Sequence, residues 1–344
     1  MLSKIFESLY VKVLVNIVLQ KEKTLVYIEV RSHKKLLRHA YMDFPTTQPN
    51  DAMKEFIFHY THESPYFYIS FLDNATEQGA LPTCTKSKLS YYYDLSESEY
   101  RCFNNNWSFY TAKSDLYTLE KKFSSIGVDF IFSPFVVLYN FFKDKVSSNI
   151  ALFVLIQEDS ISLSVFEHNE LLYAKYMQFD LLSEGDILSE NNGSIEDDIS
   201  DLDDISFDDS IDLEDIDVDD QIESLEDFGD IEDLDSIEDI DQFSENKDIE
   251  EELFESEDRL EDGDEEHFQE DYQRFSLIEK GVGLFYADER YKSTFIENIY
   301  IADSMGVSND LKRYLEEEMF LNVYIRKIDL SVEVCELTKE ELML

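Results

Sequence analysis

The clearest periodicity in the chain runs from residue 160 to 167, where Ile161, Leu163 and Val165 alternate with Ser160, Ser162 and Ser164. A period of two predicts a strand with one dry and one wet face. The apolar run at 150–156 predicts its hairpin partner, and 171–179 a third strand. A similar set opens the chain. Runs at 10–19 and 24–30 flank Gln20, Lys21, Glu22 and Lys23 and read as a hairpin, with 34–44 as a third strand. Helical spacing appears at 51–59, with Met53, Phe56 and Ile57 on one stripe. It appears again at 113–126, where Leu116, Leu119, Phe123 and Ile126 line up and Gly127 follows as a C-cap. Strands are expected at 66–72, 107–111 and 128–133, and Pro134 opens a helix through Phe142. Residues 74–106 are polar, with Gly79, Pro82 and three asparagines, and predict loops and short elements. Beyond residue 271 the pattern predicts a long helix at 272–290, weakened by Gly281 and Gly283. A strand at 299–302, a helix at 309–319 and a final strand at 323–328 follow. Residues 3–9 predict a short leader. The order is β-hairpin, α, β, α, then β-meander, α, β, α, β, as expected of two α/β lobes.

Charge is distributed unevenly over that pattern. The chain of 344 residues has a formal net charge of -48. From 184 to 271 there are about 42 acidic residues and two basic ones, Lys247 and Arg259. The remainder carries only about -8, an ordinary solubility charge. A field of this sign argues against direct binding of nucleic acid or an anionic lipid surface. Cys84, Cys102 and Cys335 show no metal-site spacing. Their odd number makes a disulfide framework improbable and reducing cytoplasm the expected setting. No apolar run reaches the roughly twenty residues of a membrane helix.

Four stretches carry a family resemblance. Residues 107–130 (WSFYTAKSDLYTLEKKFSSIGVDF) give strand, helix, Gly and strand; 133–142 (SPFVVLYNFF) a following helix; 150–165 a hairpin; and 299–317 (IYIADSMGVSNDLKRYLEE) a strand, Gly turn and helix. In this order they resemble the actin-like ATPase fold, and within it the PilM-like and GspL-like platform components of type IV pilus and type II secretion machines. The opening MLSKIF is similar to that family's leader. The resemblance implies a two-lobed actin-like (ribonuclease H-like) α/β fold with a long disordered acidic insertion. The first lobe would span 1–148 with an inserted subdomain at about 46–109. The second would combine 149–183 with 272–344 around the insertion at 184–271.

The family holds ATP and magnesium with two Asp-x-Gly hairpin turns and a Gly-Gly turn, since Gly admits phosphate to the backbone and the carboxylates position metal and water. Here the first turn, 20–23, has neither Asp nor Gly. In the second hairpin Leu155 stands where the Asp belongs and Gln157 where the Gly belongs, and Asp159 substitutes only if the register slips. The Gly-Gly position reads Asp303 and Ser304, with Gly306 nearby. These degenerate positions imply no cofactor, no catalytic residue and no metal site, hence a non-enzymatic scaffold.

By the same resemblance the partner is a bitopic inner-membrane assembly protein of a pilus, secretion or DNA-uptake (natural transformation) machine, bound through its cytoplasmic tail, with an assembly ATPase as a further partner. Localisation is then cytoplasmic, peripheral at the inner membrane through partners, without direct insertion. Rival readings are a divergent ATPase of the same fold and an acidic nucleic-acid mimic.

In the acidic segment Ile222, Leu225, Phe228, Ile231, Leu234, Ile237, Ile240 and Phe243 recur every three residues. This spacing matches neither strand nor straight helix. Both readings of it, a solvated insert and a segment that orders on a basic partner, begin from disorder. Asp215, Asp217, Asp219 and Glu226 mimic a calcium loop by spacing, but Asp220 occupies the position that needs Gly. The six histidines show no paired-ligand spacing. Lys34, Lys35 and Arg38, with His39, form a basic cluster on a predicted strand edge.

Overall fold

The computed structural model describes residues 10–179, 264–291, 293–307 and 309–344, with only the backbone of 264–269. The first sheet contains β1 (Lys12–Leu19), β2 (Thr24–Ser32), β3 (Lys35–Phe44), β4 (Phe67–Leu72) and β8 (Phe130–Phe132), in the order β3-β2-β1-β4-β8. β1 pairs antiparallel with β2 and parallel with β4. The second sheet contains β9 (Ala151–Ile156), β10 (Ser160–Glu167), β11 (Glu170–Gln178), β12 (Asn298–Asp303) and β13 (Asn322–Lys327), in the order β11-β10-β9-β12-β13. Its pairing repeats the first: β9 is antiparallel to β10 and parallel to β12.

The helices repeat as well. α1 (Asp51–Thr61) lies in sequence between β3 and β4, and α5 (Asp264–Ala287) between β11 and β12. α3 (Lys113–Lys122) precedes β8, and α6 (Asn309–Glu317) precedes β13. α4 (Pro134–Phe141) follows the first sheet, and α7 (Leu330–Glu341) the second. This duplicated unit, three antiparallel strands and two parallel ones, is the two-lobed ribonuclease H-like architecture of the actin fold. Each long element has a local cause. Asn50 caps α1 by accepting from Met53 N–H, Ser133 and Pro134 start α4, and Asp329 caps α7 by accepting from Ser331 and Val332.

Each lobe has an outer core. Val15, Ile17 and Ile28 of the first sheet pack with Met53, Ile57 and Phe123 from its helices. Val154 and Leu163 of the second pack with Ile278, Phe285 and Leu311. Between the sheets lies a third core, in which Phe135 and Leu138 of α4 join Phe153, Leu155 and Phe166 of the second sheet and Val334 and Leu337 of α7. The two terminal helices exchange sides: α4 packs on β9 and β10, while α7 packs on β1, β2 and β4. Thr338 of α7 bonds Ser70 Oγ at 2.7 Å and donates to Asn16 Oδ1 at 3.3 Å. Lys339 reaches Glu29 of β2 at 3.5 Å.

Several expectations need correction. Residues 74–106 hold loops and short elements, as expected, but these build a sheet. β5 (Gln78–Leu81), α2 (Lys86–Tyr92) and β6 (Ser98–Phe103) join β7 (Trp107–Ala112) in a three-stranded sheet, β5-β7-β6. The inserted subdomain is therefore narrower than 46–109, because α1 and β4 belong to the first lobe. The serine face of β10 is not wet: Ser160, Ser162 and Ser164 are buried on the side of α4. α7 was not anticipated, and it completes the first lobe rather than the second. Cys84 and Cys102 are disulfide-bonded, with Cα atoms 5.3 Å apart; Leu81 of β5 and Cys102 of β6 flank the same β7 residue, Ser108, and Cys84 lies three residues beyond Leu81. The end of the acidic segment, 264–271, forms the first turns of α5, where buried Asp271 pairs with Arg274 at 2.6 Å. The leader, the three-residue repeat and the calcium-like spacing lie outside the described residues.

Candidate functional site

Parallel strands β1, β4, β9 and β12 all end at one mouth between the lobes, the position where an open α/β sheet presents its ligand loops. Four segments meet there. The β1–β2 turn is closed by Gln20 N–H donating to Lys23 O at 2.8 Å, and the β9–β10 turn by Gln157 N–H to Ser160 O at 2.9 Å. The two turns touch: Lys21 N–H donates to Glu158 Oε2 at 3.1 Å. A glutamate and a backbone amide thus join the two turns.

The sequence-named positions fall around this mouth. Leu155 is fully buried, opposite Ser162 on β10 and Ala302 on β12, so it is core rather than cleft. The register Ile156 to Ile161 leaves Asp159 inside the turn without slippage. Its carboxylate accepts from Ser160 Oγ at 3.1 Å and its carbonyl from Phe179 N–H. Gln157 is buried, and its Oε1, like that of Gln20 in the facing turn, has no hydrogen-bond partner.

After β12, buried Asp303 folds over its own turn. Oδ1 accepts from Met305 and Gly306 N–H at 2.9 and 2.8 Å, and Oδ2 from Val307 N–H at 2.9 Å. Gly306 has φ +86°, which permits this tight wrap. A nest of N–H groups that would suit an anion is thus filled by the chain's own carboxylate. Ser304 is bound too, its hydroxyl donating to Ile156 O at 2.7 Å. ATP and magnesium do not fit this donor set: no carboxylate stands at Leu155, and the N–H groups of the third turn are already taken.

Sequence reasoning missed Asp73. It directly follows β4, the counterpart of Asp303 at the end of β12, and it is buried. It accepts from Thr111 Oγ1 of the inserted subdomain and from Ala75 N–H. Burial pushes its carboxyl above the usual range, and Asp115 adds to this against the lowering effect of the two hydrogen bonds. The only sequence signal was its place, directly after a strand.

Two larger concavities lie away from the mouth. One, of about 510 Å³, is walled by tyrosines 92, 93, 110, 173 and 291, between the inserted subdomain and the second lobe. The other, of about 400 Å³, is a groove between β6 and helices α4 and α7. Phe103, Val136, Tyr139 and Leu337 give its floor apolar character, and Arg101, Lys143, Glu340 and Glu341 its polar rim. Arg101 and Glu341 pair across it at 3.5 Å. β6 is an edge strand here, with Glu99, Tyr100 and Arg101 exposed. Among the described residues no helix is long and apolar enough to cross a membrane, and no group of three acidic, His or Cys residues could hold a metal ion.

Residues 152–343 match the family described as a domain of unknown function, DUF8341. The chain belongs to that family. The DUF8341 match takes in the second sheet and α5 to α7. Residues 10–139 match a second description, the domain of unknown function DUF8569, over the first sheet and its inserted subdomain. The boundary falls at the α4–β9 junction, where the duplicated unit begins again. No curated protein matches this DUF8341 chain. Among solved structures it is similar to a Bacteroides thetaiotaomicron protein with actin-like ATPase fold and unknown function. The identity is 10% and the TM-score 0.47, over 96% of each chain. It is similar to a chain of a PilM-PilN type IV pilus biogenesis complex at 12% identity and TM-score 0.44, over 94% of each chain. An exopolyphosphatase from Cytophaga hutchinsonii matches 52% of this chain and 53% of its own, at 9% identity and TM-score 0.27.

Proposed function

We propose that the protein is a non-enzymatic scaffold that docks on the cytoplasmic tail of a membrane-anchored assembly protein, in a machine of the pilus, secretion or DNA-uptake kind. The observation that supports the reading is the Lys21–Glu158 contact, a hydrogen bond within the chain that joins the β1–β2 and β9–β10 turns. The groove beside β6 suits an extended tail: an apolar floor, rim charges of both signs and an edge strand whose outer side pairs with no strand among the described residues. The exposed Arg101–Glu341 pair across it is cheap to open, about 0–1 kcal/mol. Location at the inner membrane then follows from the partner.

Membrane-extract copurification together with nucleotide titration tests this reading. Expected are recovery of a protein with one membrane span, its loss with Arg101→Glu plus Asn140→Arg at unchanged melting temperature, and no melting shift with Mg-ATP. Mg-ATP stabilisation, or recovery indifferent to the groove substitutions, overturns it.

A further inference from the structure

Apart from Met343 near the chain end, Phe320 and Phe295 are the most exposed large apolar side chains among the described residues, at 80% and 65%. They stand together. β12 and β13 run parallel with Asn298 beside Asn322, and Asn322 N–H donates to Glu297 O at 2.8 Å. Each phenylalanine lies two residues before one partner of that bond. The two segments therefore enter the sheet side by side, at the end of the strands away from the mouth. Phe320 is held there against two preferences. Its φ of +55° is left-handed backbone, which a chain leaving a helix ordinarily gives to glycine. Its ring is in water, while Leu321 and Val323 next to it are buried. A residue that satisfies neither its backbone nor its hydrophobicity is of the kind that collects at functional sites.

The charge around the two rings is of one sign. Residues 293–301 and 314–325 contain Glu297, Glu316, Glu317 and Glu318, all exposed, and no base. Glu316 pairs with Lys312 at 3.7 Å; the other three form no ion pair among the described residues. The acidic segment reaches the fold at the same helix. α5, into which it leads, packs on α6, with the rings of Tyr272 and Tyr314 6.1 Å apart. The start of α5 lies only about 12 Å along the helix from that contact. Glu317 and Glu318 follow Tyr314 by one turn. Exposed apolar rings with a rim of unpaired carboxylates mark an interaction surface, and the rim selects a partner of opposite charge.

We propose that Phe295 and Phe320 form a docking site for a basic amphipathic segment of a partner protein, whose apolar side covers the two rings and whose lysines or arginines meet Glu297, Glu317 and Glu318. The rings supply the contact area and the carboxylates the orientation. The acidic segment, with about 42 acidic residues, draws such a partner from a distance and is not the seat. The site is separate from the β6 groove and does not depend on the function proposed for that groove.

The experiment is fluorescence anisotropy of the full chain with two labelled peptides of equal length and charge, an amphipathic one of lysine and leucine and one of lysine and serine. At roughly 0.3 M salt, where exposed charges are screened, the lysine–leucine peptide should still bind saturably and the lysine–serine peptide should be released. Phe295→Ser with Phe320→Gly should weaken the lysine–leucine peptide about tenfold or more. Phe320→Gly alone should melt no lower than the wild type, because glycine suits the left-handed φ. Glu317→Gln with Glu318→Gln should also weaken that peptide and flatten its salt dependence. Equal binding of the two peptides, or an affinity indifferent to the phenylalanine pair, assigns the attraction to the acidic segment alone and overturns the proposal. A lower melting temperature for Phe320→Gly makes the ring part of the fold and overturns it as well.

Discussion

Asp73 and Asp303 end equivalent strands in the two halves, and both are turned inward. Asp303 is balanced by three N–H donors, whereas Asp73 has one N–H and one hydroxyl. The raised pKa of Asp73 has a definite sign in stability. Its folded state holds the proton more tightly than the unfolded chain, whose carboxyl titrates near about 3.9. Its contribution is therefore complete below that value and is lost as pH rises through the folded value. Asp73→Asn should remove this slope. Urea unfolding should show the variant gaining on the wild type between acid and neutral pH, by about 1.4 kcal/mol for each unit of the upward shift. Parallel stability curves for the two proteins would contradict this. At this scale the sequence was half legible. Leu155, Gln157 and Ser304 could be read as departures from a phosphate-binding pattern. That Asp303 would bind the turn it belongs to could not, because that depends on Gly306 adopting a left-handed φ three residues on.

At the scale of elements, the inserted subdomain is the part least evident from its residues. Its strands β5 and β6 have four and six residues, and β6 is exposed along most of its length, so no periodicity marks it. The disulfide was illegible for the same reason. Cys84 and Cys102 are 18 residues apart, and only the β5-β7-β6 order brings them together. α7 did leave a trace: Asp329 as a cap, then Leu330, Val334 and Leu337 at helical spacing. The wet face expected of β10 failed because alternation says that two faces differ, not what covers them. Serines are small enough to bring a helix close. The subdomain should depend on its cross-link. Closing a loop of this length is worth about 3 kcal/mol. Cys84→Ser should therefore speed hydrogen exchange of the β6 amides and lower the melting temperature, and a thiol reductant should do the same to the wild type. Exchange in α1 should not change.

Over the whole molecule, the exchange of α4 and α7 between the sheets should make the two lobes unfold as one cooperative body. Thr338 sits at that junction, with its hydroxyl shared among Ser70, Asn16 and the Val334 carbonyl. Thr338→Val should leave Ser70 and Asn16 short of a partner in a dry site, at a cost of about 1–3 kcal/mol. The loss should appear in one unfolding transition. Two separated transitions in calorimetry would mean that the lobes melt independently and the exchange is not cooperative.

The position of α7 also bears on how the chain is made. Domains generally fold as they leave the ribosome, earliest part first. Here the first sheet lacks one covering helix until residues 330–341 have been synthesised, with the second sheet and the whole acidic segment still to come before them. For most of translation Leu14 and Tyr27 have no Cys335 to pack against. The nascent first lobe thus waits, sticky on one side, for a helix encoded more than 280 residues downstream of β3, and its yield in the cell should depend on whatever shields that side in the meantime.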